Sequence, residues 1–450
     1  MFHTGYYHYN PFIFDLCAVL SAKWYCLTTF PFQGKLNTIP EEERLHMKTV
    51  YFEKDIPRIL GTKAAAKVCK PLLYTNLNAV KYKKDIPEPK LPAADWVRVK
   101  NLACGLCGTD VSFFKATTGT NSALEPIPGS KRTFLGHENV GVVTEIGKDV
   151  TRFKVGDRVT IRAYMSSCDS KGYKDRCPYC EAGDYNFCMN YGAPALYPEL
   201  EFTGAGWSDT FIYPEQGLTK IYDELTNDQA VMVEPSCVSV HSVLVAPPEP
   251  GEKVLVMGTG TIGLGIVQAL KIVQPDCEVW AMVRSKNKQE FARKMGADHI
   301  LVGDPYEATA KATGGSEIYK GMAGNKYFFG GFDRIYECIG GDWANHTAVR
   351  LLKARGTLVK IGHHMNAVTY DETPVWWQEL KLVGVDAHGM ETWQGRKLYT
   401  FDLVQEWIRD GLYSVDGFIT HRFKLDDYQE AMKLAMGKSK DVIKIVLDCE

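Results

Sequence analysis

Short segments in the first half of the chain alternate between hydrophobic and polar residues. These segments are residues 47–52, 96–100, 139–147 and 156–161, and a glycine-containing turn separates the last two. A period of two places alternate side chains on one face, which is typical of a strand with one buried side. We therefore predict that this part of the chain is β-rich.

From about residue 218 the pattern changes to short apolar runs separated by segments with helical periodicity. The predicted strands cover residues 254–257, 278–283, 334–337, 357–361 and 381–385. Strands that alternate with helices form a parallel sheet covered on both faces. After residue 400 the pattern predicts helices over 401–410 and 425–436 and a closing strand over 441–447.

These patterns predict an α/β protein with two domains. We expect a β-rich domain over residues 47–217, completed by residues 387–450, and a doubly wound parallel-sheet domain over residues 218–386. A chain of 450 residues is long enough to form two separate cores.

Residues 1–46 are rich in aromatic side chains and follow neither a helical nor a strand period. Asp15 and Lys23 interrupt the apolar stretch before it reaches the roughly 20 residues that a membrane span requires. The basic start of a secretory signal is also missing. We interpret this segment as an extension that is poorly ordered or not native, with Met47 as the natural start. An arm that docks on another subunit is the alternative.

The charge and the cysteines limit the classes of partner and location. A formal net charge of -2 lacks the basic excess typical of nucleic-acid binding, so we expect no nucleic-acid partner. The chain has 13 cysteines, and clustered cysteines in a long enzyme-like chain are more often metal ligands than disulfides. We therefore expect a reducing, cytoplasmic location without membrane association.

Two short motifs supply the side chains that bind a catalytic metal ion. The first is Cys-Gly-Leu-Cys-Gly-Thr-Asp over residues 104–110, and the second is Gly-His-Glu over residues 136–138. Zinc binds Cys sulfur, His nitrogen and carboxylate oxygen, and a catalytic zinc keeps one coordination position open for water or substrate. Together the motifs offer a thiolate, an imidazole and a carboxylate to a catalytic Zn²⁺.

A second group of cysteines follows at Cys177, Cys180 and Cys188, with Cys168 upstream. Four thiolates form a closed tetrahedral zinc site that stabilises a loop without a core of its own. We favour a structural zinc with Cys168 as its fourth sulfur. A site with three protein sulfurs and a zinc-free lobe with reduced thiols are the alternatives.

The segment Gly-Thr-Gly-Thr-Ile-Gly over residues 258–263 lies between a predicted strand and a predicted helix, the context in which such a turn binds a dinucleotide. Gly258 permits the tight turn, Gly260 lets the backbone approach the pyrophosphate, and Gly263 allows close packing of helix and strand. The phosphates are then expected at the N-terminus of the helix, where free N–H groups favour anions. The other residues of the turn are Thr259, Thr261 and Ile262.

The next strand bears on the choice between NADP and NAD. It ends at Val283, and Arg284, Ser285 and Lys286 follow, without the acidic residue that holds the ribose hydroxyls of NAD. A cation at this place suits a 2′-phosphate, so the sequence favours NADP. A solvated strand end in a protein that accepts NAD without the acid is the alternative.

From Met47 to its end the chain resembles the zinc-dependent medium-chain dehydrogenases, the family of alcohol, sorbitol, threonine and archaeal glucose dehydrogenases. The ordered motifs behind the resemblance are Cys-Gly-Thr-Asp at 107–110, Gly-His-Glu at 136–138, Gly-Asp-Arg-Val at 156–159, the cysteines at 168–188, Val-Glu-Pro at 233–235 and the glycine-rich turn. The resemblance implies a GroES-like catalytic zinc-binding domain and a Rossmann dinucleotide-binding domain.

The same resemblance implies roles for individual side chains at the catalytic zinc. Cys107 and His137 are the implied thiolate and imidazole ligands, and Glu138 is a direct or exchangeable ligand. Glu234 falls where the family places a further ligand, which is a carboxylate in the polyol and sugar branches. Cys104 is interpreted as a packed thiol.

The resemblance also implies that the hydroxyl of Thr109 takes the proton of the alcohol, while Ser112 stands where many alcohol dehydrogenases have a proton-relaying His. We expect a zinc-dependent oxidoreductase that passes hydride between a secondary alcohol, polyol or sugar hydroxyl and NAD(P), with NADP favoured. A homodimer or homotetramer is the expected assembly. The alternatives are a carbonyl reductase that works mainly in the reducing direction and a nucleotide-sensing protein on the same scaffold.

Overall fold

A computed structural model describes residues 46–117, 130–162, 166–437, 439 and 441–450. The predicted N-terminal extension therefore lies outside the described residues, except for His46. The strands are β1 (His46–Glu53), β2 (Val80–Pro87), β3 (Trp96–Gly105), β4 (Arg132–Phe134), β5 (Asn139–Ile146), β6 (Arg158–Ile161), β7 (Thr210–Pro214), β8 (Leu218–Lys220), β9 (Lys253–Met257), β10 (Glu278–Met282), β11 (His299–Leu301), β12 (Tyr319–Lys320), β13 (Lys326–Tyr327), β14 (Phe332–Glu337), β15 (Leu352–Lys360), β16 (Lys381–Gly384), β17 (Met390–Trp393), β18 (Arg396–Tyr399), β19 (Ile419–Lys424) and β20 (Lys444–Asp448). The helices are α1 (Ile56–Val68), α2 (Gly108–Phe114), α3 (Cys168–Lys171), α4 (Pro178–Ala182), α5 (Asn227–Val231), α6 (Val233–Val245), α7 (Thr261–Val273), α8 (Lys286–Lys294), α9 (Pro305–Thr313), α10 (Gly341–Ala348), α11 (Thr373–Trp377), α12 (Thr400–Arg409) and α13 (Tyr428–Ala435).

Two sheets make up the β-rich part of the protein, as predicted. The strands β2-β1-β4 form a three-stranded sheet, and β19-β20-β3-β5-β6-β8 form a larger sheet in which β7 also pairs with β3. The predicted strand at 96–100 extends to Gly105, because the apolar segment that follows is buried and continues the pairing with β5. This longer strand β3 leads directly into the segment with the first metal-binding motif.

The last strand of the chain completes the larger sheet. β20 runs antiparallel to β3, with Leu447 opposite Cys104 and Val446 opposite Gly105. The predicted closing strand therefore exists, but it begins at Lys444 rather than at residue 441. This pairing places the C-terminal segment beside the chain that leaves β3.

Six parallel strands form the other sheet, in the order β11-β10-β9-β14-β15-β16. The order steps outward from β9 on one side and then crosses to the other, which is the predicted doubly wound (Rossmann) arrangement. At the end of β9, Met257 is level with Met282 of β10 and with Glu337 of β14. The carboxyl ends of three neighbouring strands therefore meet at one edge of this sheet.

Some details differ from the sequence prediction. β8 pairs with β6, so the larger sheet extends past the predicted boundary at residue 217. The predicted helix over 425–436 divides into a 3₁₀ turn, Leu425–Asp427, and α13. The hairpins β12–β13 and β17–β18 have strands of two to four residues, too short for a periodic pattern to predict. No helix in the described ranges has the length and apolar composition of a membrane span.

Candidate active site

The two metal-binding motifs meet at the end of β3. Cys107 is the residue that precedes α2, and one possible ligand atom each from Cys107, His137 and Glu138 lies within 4.8 Å of the others. The buried carboxylate of Asp110 joins the two segments, since it accepts hydrogen bonds from Cys107 N at 2.9 Å and Gly136 N at 3.2 Å. The structure thus brings together three of the predicted zinc ligands.

Glu138 is held by a cation that the sequence prediction did not include. Lys444 Nζ donates to both carboxylate oxygens of Glu138, at 2.7 and 2.6 Å, and to Leu106 O at 3.3 Å. The two side chains are only 4% and 2% exposed, so this ion pair is buried beside the metal-binding group. The sequence does contain a signal: Lys444 is a lone cation in an apolar closing strand, and buried lysines are almost always paired.

Glu234, the fourth predicted ligand, lies in the first turn of α6 and outside the 4.8 Å group. Burial raises the pKa of Glu234 to about 7, although the nearby His137 lowers it. Burial also disfavours the charged form of His137, yet Cys107 and Glu234 keep the pKa of His137 above its usual value. A thiol, an imidazole and buried carboxyl groups that shift one another's pKa fit a divalent cation, which balances their charge.

A cavity of about 290 Å³ adjoins this group and is lined by Thr109 and His137. The hydroxyl oxygen of Thr109 is buried and has no hydrogen-bond partner among the described residues. Thr133 and Asn186 also line the cavity, and each has a side-chain oxygen without a partner in the same set. The hydroxyl of Ser112 donates to Gly108 O at 3.2 Å. The cavity therefore offers polar atoms that a bound ligand would satisfy.

The four cysteines of the second group converge. Their sulfur atoms all lie within 4.8 Å of one another; Cys168 Sγ is 3.7 Å and Cys177 Sγ 4.0 Å from Cys188 Sγ. Four sulfurs around a tetrahedral zinc, each about 2.3 Å from the metal, are about 3.8 Å apart. Backbone N–H groups donate to these sulfurs at 3.3 to 3.5 Å, including that of Cys177 to Cys168 Sγ. Cys168 thus takes the position of the fourth sulfur, which the spacing left open.

The glycine-rich turn joins β9 to α7. Gly258 has a φ of +102°, and a Cβ atom there would lie 2.7 Å from Ile339 Cγ1. A Cβ atom on Gly263 would lie 1.8 Å from Gly258 O, so helix and turn pack as closely as predicted. Gly260 immediately precedes α7, whose first residue is Thr261. The free N–H groups at this helix start can receive a pyrophosphate.

At the end of β10, the described side chains present a cation. Val283 is buried and Arg284 is exposed, and the guanidinium carbon of Arg284 lies 5.6 Å from the centre of the Trp343 ring. Ser285 precedes α8 without a side-chain cap, and Lys286 is exposed in its first turn. These residues fit the anionic end of a dinucleotide. The sequence prediction did not include Trp343, because Trp343 lies in the helix after β14, whereas Arg284 follows β10.

Comparisons with known proteins agree with this geometry. Residues 93–223 match the family model of the alcohol dehydrogenase GroES-like domain, and residues 261–398 match that of the zinc-binding dehydrogenases. The chain is 28% identical to sorbitol dehydrogenase 2 of Saccharomyces cerevisiae, over 80% of this chain and 93% of the relative. It is also 28% identical to D-arabinitol dehydrogenase 1 of Uromyces fabae, over 81% and 92% of the two chains. The solved structure of 2R,3R-butanediol dehydrogenase from Bacillus subtilis has a similar fold, with a TM-score of 0.62 at 23% identity, over 89% of this chain and 99% of that chain.

We predict that Lys444→Met destabilises the protein by about 3–5 kcal/mol, because the buried carboxylate of Glu138 loses its cation. The midpoint of urea denaturation measures the effect. Lys433→Met is the control, since Lys433 is an exposed member of a pair with Glu430 and its loss should leave the midpoint unchanged. A Lys444→Met protein as stable as the parent would contradict the assigned role of this pair.

Proposed function

The chain belongs to the zinc-dependent medium-chain dehydrogenases, and on this premise we propose that it transfers hydride between NADP and a secondary hydroxyl of a polyol or sugar. The observation that supports this most directly is the grouping of Cys107, His137 and Glu138 next to the cavity that Thr109 lines. The similarity to a sorbitol dehydrogenase and a D-arabinitol dehydrogenase supports the polyol class.

The side chains of this group have separate roles in the proposed reaction. Zinc, when held by Cys107, His137 and a carboxylate, supplies a Lewis acid for the oxygen of the reacting carbon. The hydroxyl of Thr109 has no competing partner among the described residues and is free to accept a hydrogen bond from the substrate hydroxyl. The hydroxyl of Ser112 is bonded to the backbone, so we expect the proton to leave through water or a second substrate hydroxyl.

The polar atoms of the cavity favour a substrate with several hydroxyl groups. Thr133 Oγ1 and Asn186 Oδ1 are buried without partners in the described structure. A buried polar atom costs about 1–3 kcal/mol when unsatisfied, so a ligand hydroxyl that bonds to it gains an advantage over a simple alcohol. We propose that these two side chains bind substrate hydroxyls away from the reacting carbon.

NADP is the proposed cofactor. Arg284 follows β10 where an acidic residue would hold the ribose of NAD, and no acidic residue lies between Met282 and Lys286. A guanidinium suits the 2′-phosphate because it donates in-plane N–H groups to phosphate oxygens.

We further propose that Cys168, Cys177, Cys180 and Cys188 hold a second, structural zinc. The sulfur separations and the N–H groups directed at the sulfurs support this proposal, since thiolates accept such bonds. The protein then contains two zinc ions per chain.

Replacement of a catalytic ligand tests the reaction. Cys107→Ser should lower kcat/KM by about 10³-fold or more, because the Lewis acid contributes several kcal/mol to the transition state. Binding of NADP, measured by calorimetry, should be retained. Cys104→Ala, three residues earlier in the same segment, is the control and should keep turnover and zinc. Near-normal turnover of zinc-free Cys107→Ser would refute the scheme.

Metal analysis tests the second site. Cys168→Ser should reduce the zinc content from two ions to one per chain and lower the melting temperature, because the lobe loses a cross-link. The catalytic zinc should remain. A parent protein with one zinc, or a Cys168→Ser variant with two, would contradict a four-sulfur site.

The polyol preference can be tested with two matched threonines. Thr133→Val should lower kcat/KM for polyols about tenfold, while the value for a monohydroxy secondary alcohol changes less than about twofold. Thr160 also has a buried hydroxyl without a partner in the described chain, but it does not line the cavity, so Thr160→Val is the control. Equal losses for both substrate classes in Thr133→Val would mean that Thr133 acts by packing alone.

A further inference from the structure

Arg284 and Trp343 approach each other across the carboxyl end of β9. Arg284 follows β10, whereas Trp343 lies in the first turn of α10, which follows β14. The strands β10 and β14 flank β9 on its two sides. A contact between these two side chains therefore crosses the carboxyl end of β9, where the glycine-rich turn begins, and the guanidinium carbon lies 5.6 Å from the ring centre.

Core packing does not explain this contact. Trp343 is 47% exposed, and Ile339, in the segment that leads into the same helix, is 46% exposed. Among the described residues, no carboxylate forms an ion pair with Arg284, so the indole ring is the contact that holds it. Open parallel sheets bind their ligands at the carboxyl ends of the strands, and a large exposed aromatic ring at that edge is typical of a ligand surface.

The backbone that positions Trp343 is fixed by Glu337. The carboxylate of Glu337 accepts hydrogen bonds from Ile339 N at 2.6 Å and Gly340 N at 2.7 Å. Glu337 is fully buried at the end of β14, so the loop before α10 is anchored to the sheet. The ring of Trp343 therefore projects from a rigid base rather than from a free loop.

We propose that Trp343 is a positioning residue that holds Arg284 for the 2′-phosphate of the dinucleotide. The guanidinium of Arg284 lies over the indole ring at a cation–π distance. This interaction with the ring leaves the N–H donors in the guanidinium plane available to phosphate oxygens. Because less side-chain freedom is lost when the phosphate binds, affinity for the 2′-phosphate rises.

This inference rests on the proposed use of NADP, and it predicts a selective effect. Trp343→Ala should weaken binding of a 2′-phosphorylated nucleotide about two- to fivefold, the size of an exposed cation–π contact, without equal loss for the nucleotide that lacks this phosphate. Arg284→Ala should weaken it about tenfold or more, since it removes the charge itself.

Calorimetric binding to the full chain tests the proposal without turnover. The two probes are adenosine 2′,5′-bisphosphate and adenosine 5′-monophosphate, which differ only in the 2′-phosphate. The proteins are the parent, Trp343→Ala, Trp343→Phe, Arg284→Ala and the double variant Arg284→Ala/Trp343→Ala. Because Trp343 acts through Arg284, Trp343→Ala should add no further loss of 2′-phosphate selectivity in the Arg284→Ala background. Trp343→Phe should retain most of the selectivity.

A control and the contrary outcomes separate this inference from the proposed function. Trp376→Ala removes another exposed tryptophan, 70% exposed on α11, and should change neither affinity. Equal weakening of both probes by Trp343→Ala, or additive losses in the double variant, would overturn the role of Trp343 while NADP use stands. A parent that binds both probes equally would instead overturn the NADP preference, and this inference with it.

Discussion

The active site depends on positive charge placed beside buried carboxylates. Cys107, His137 and two buried acids gather at the end of β3, and a group of this kind is stable only if cations balance it. Lys444 supplies part of that balance to Glu138, across a sequence separation of 306 residues. The C-terminal strand must therefore pair with β3 before the site is complete. The larger sheet and the proposed metal site therefore both depend on this strand pairing.

The sequence predicted the features that depend on neighbouring residues. The glycine-rich turn, the alternation of strands and helices and the two metal-binding motifs are short-range patterns, and the structure contains all of them. Lys444 and Trp343 could not be predicted in the same way, because their partners are brought near by sheet topology rather than by spacing. Cys168 is an intermediate case. As a cysteine near the other three it was a possible ligand from the sequence alone, but only the folded structure shows that its sulfur lies beside theirs.

Whether a buried polar atom without a hydrogen-bond partner indicates ligand binding depends on where the atom lies. Thr160 and Thr309 have such hydroxyls inside the protein but do not line the cavity, and there they are only a cost to stability. Thr109 and Thr133 line the cavity that adjoins the metal-binding group. A ligand that satisfies them recovers this cost at the moment of binding, which is how a pocket distinguishes a hydroxylated substrate from an apolar one of similar shape.

The side chains of the proposed metal site are less exposed than those of the proposed nucleotide site, and this difference fits their roles. The proposed metal ligands are held in place by the buried carboxylate of Asp110 and by the buried ion pair of Lys444 with Glu138, so removing Asp110 or Lys444 disturbs the fold as well as the chemistry. Arg284 and Trp343 are exposed at the edge of the sheet where we propose that the dinucleotide binds. Exposed side chains can change with little effect on stability. In this architecture the choice of dinucleotide is therefore easier to alter by substitution than the metal on which hydride transfer depends.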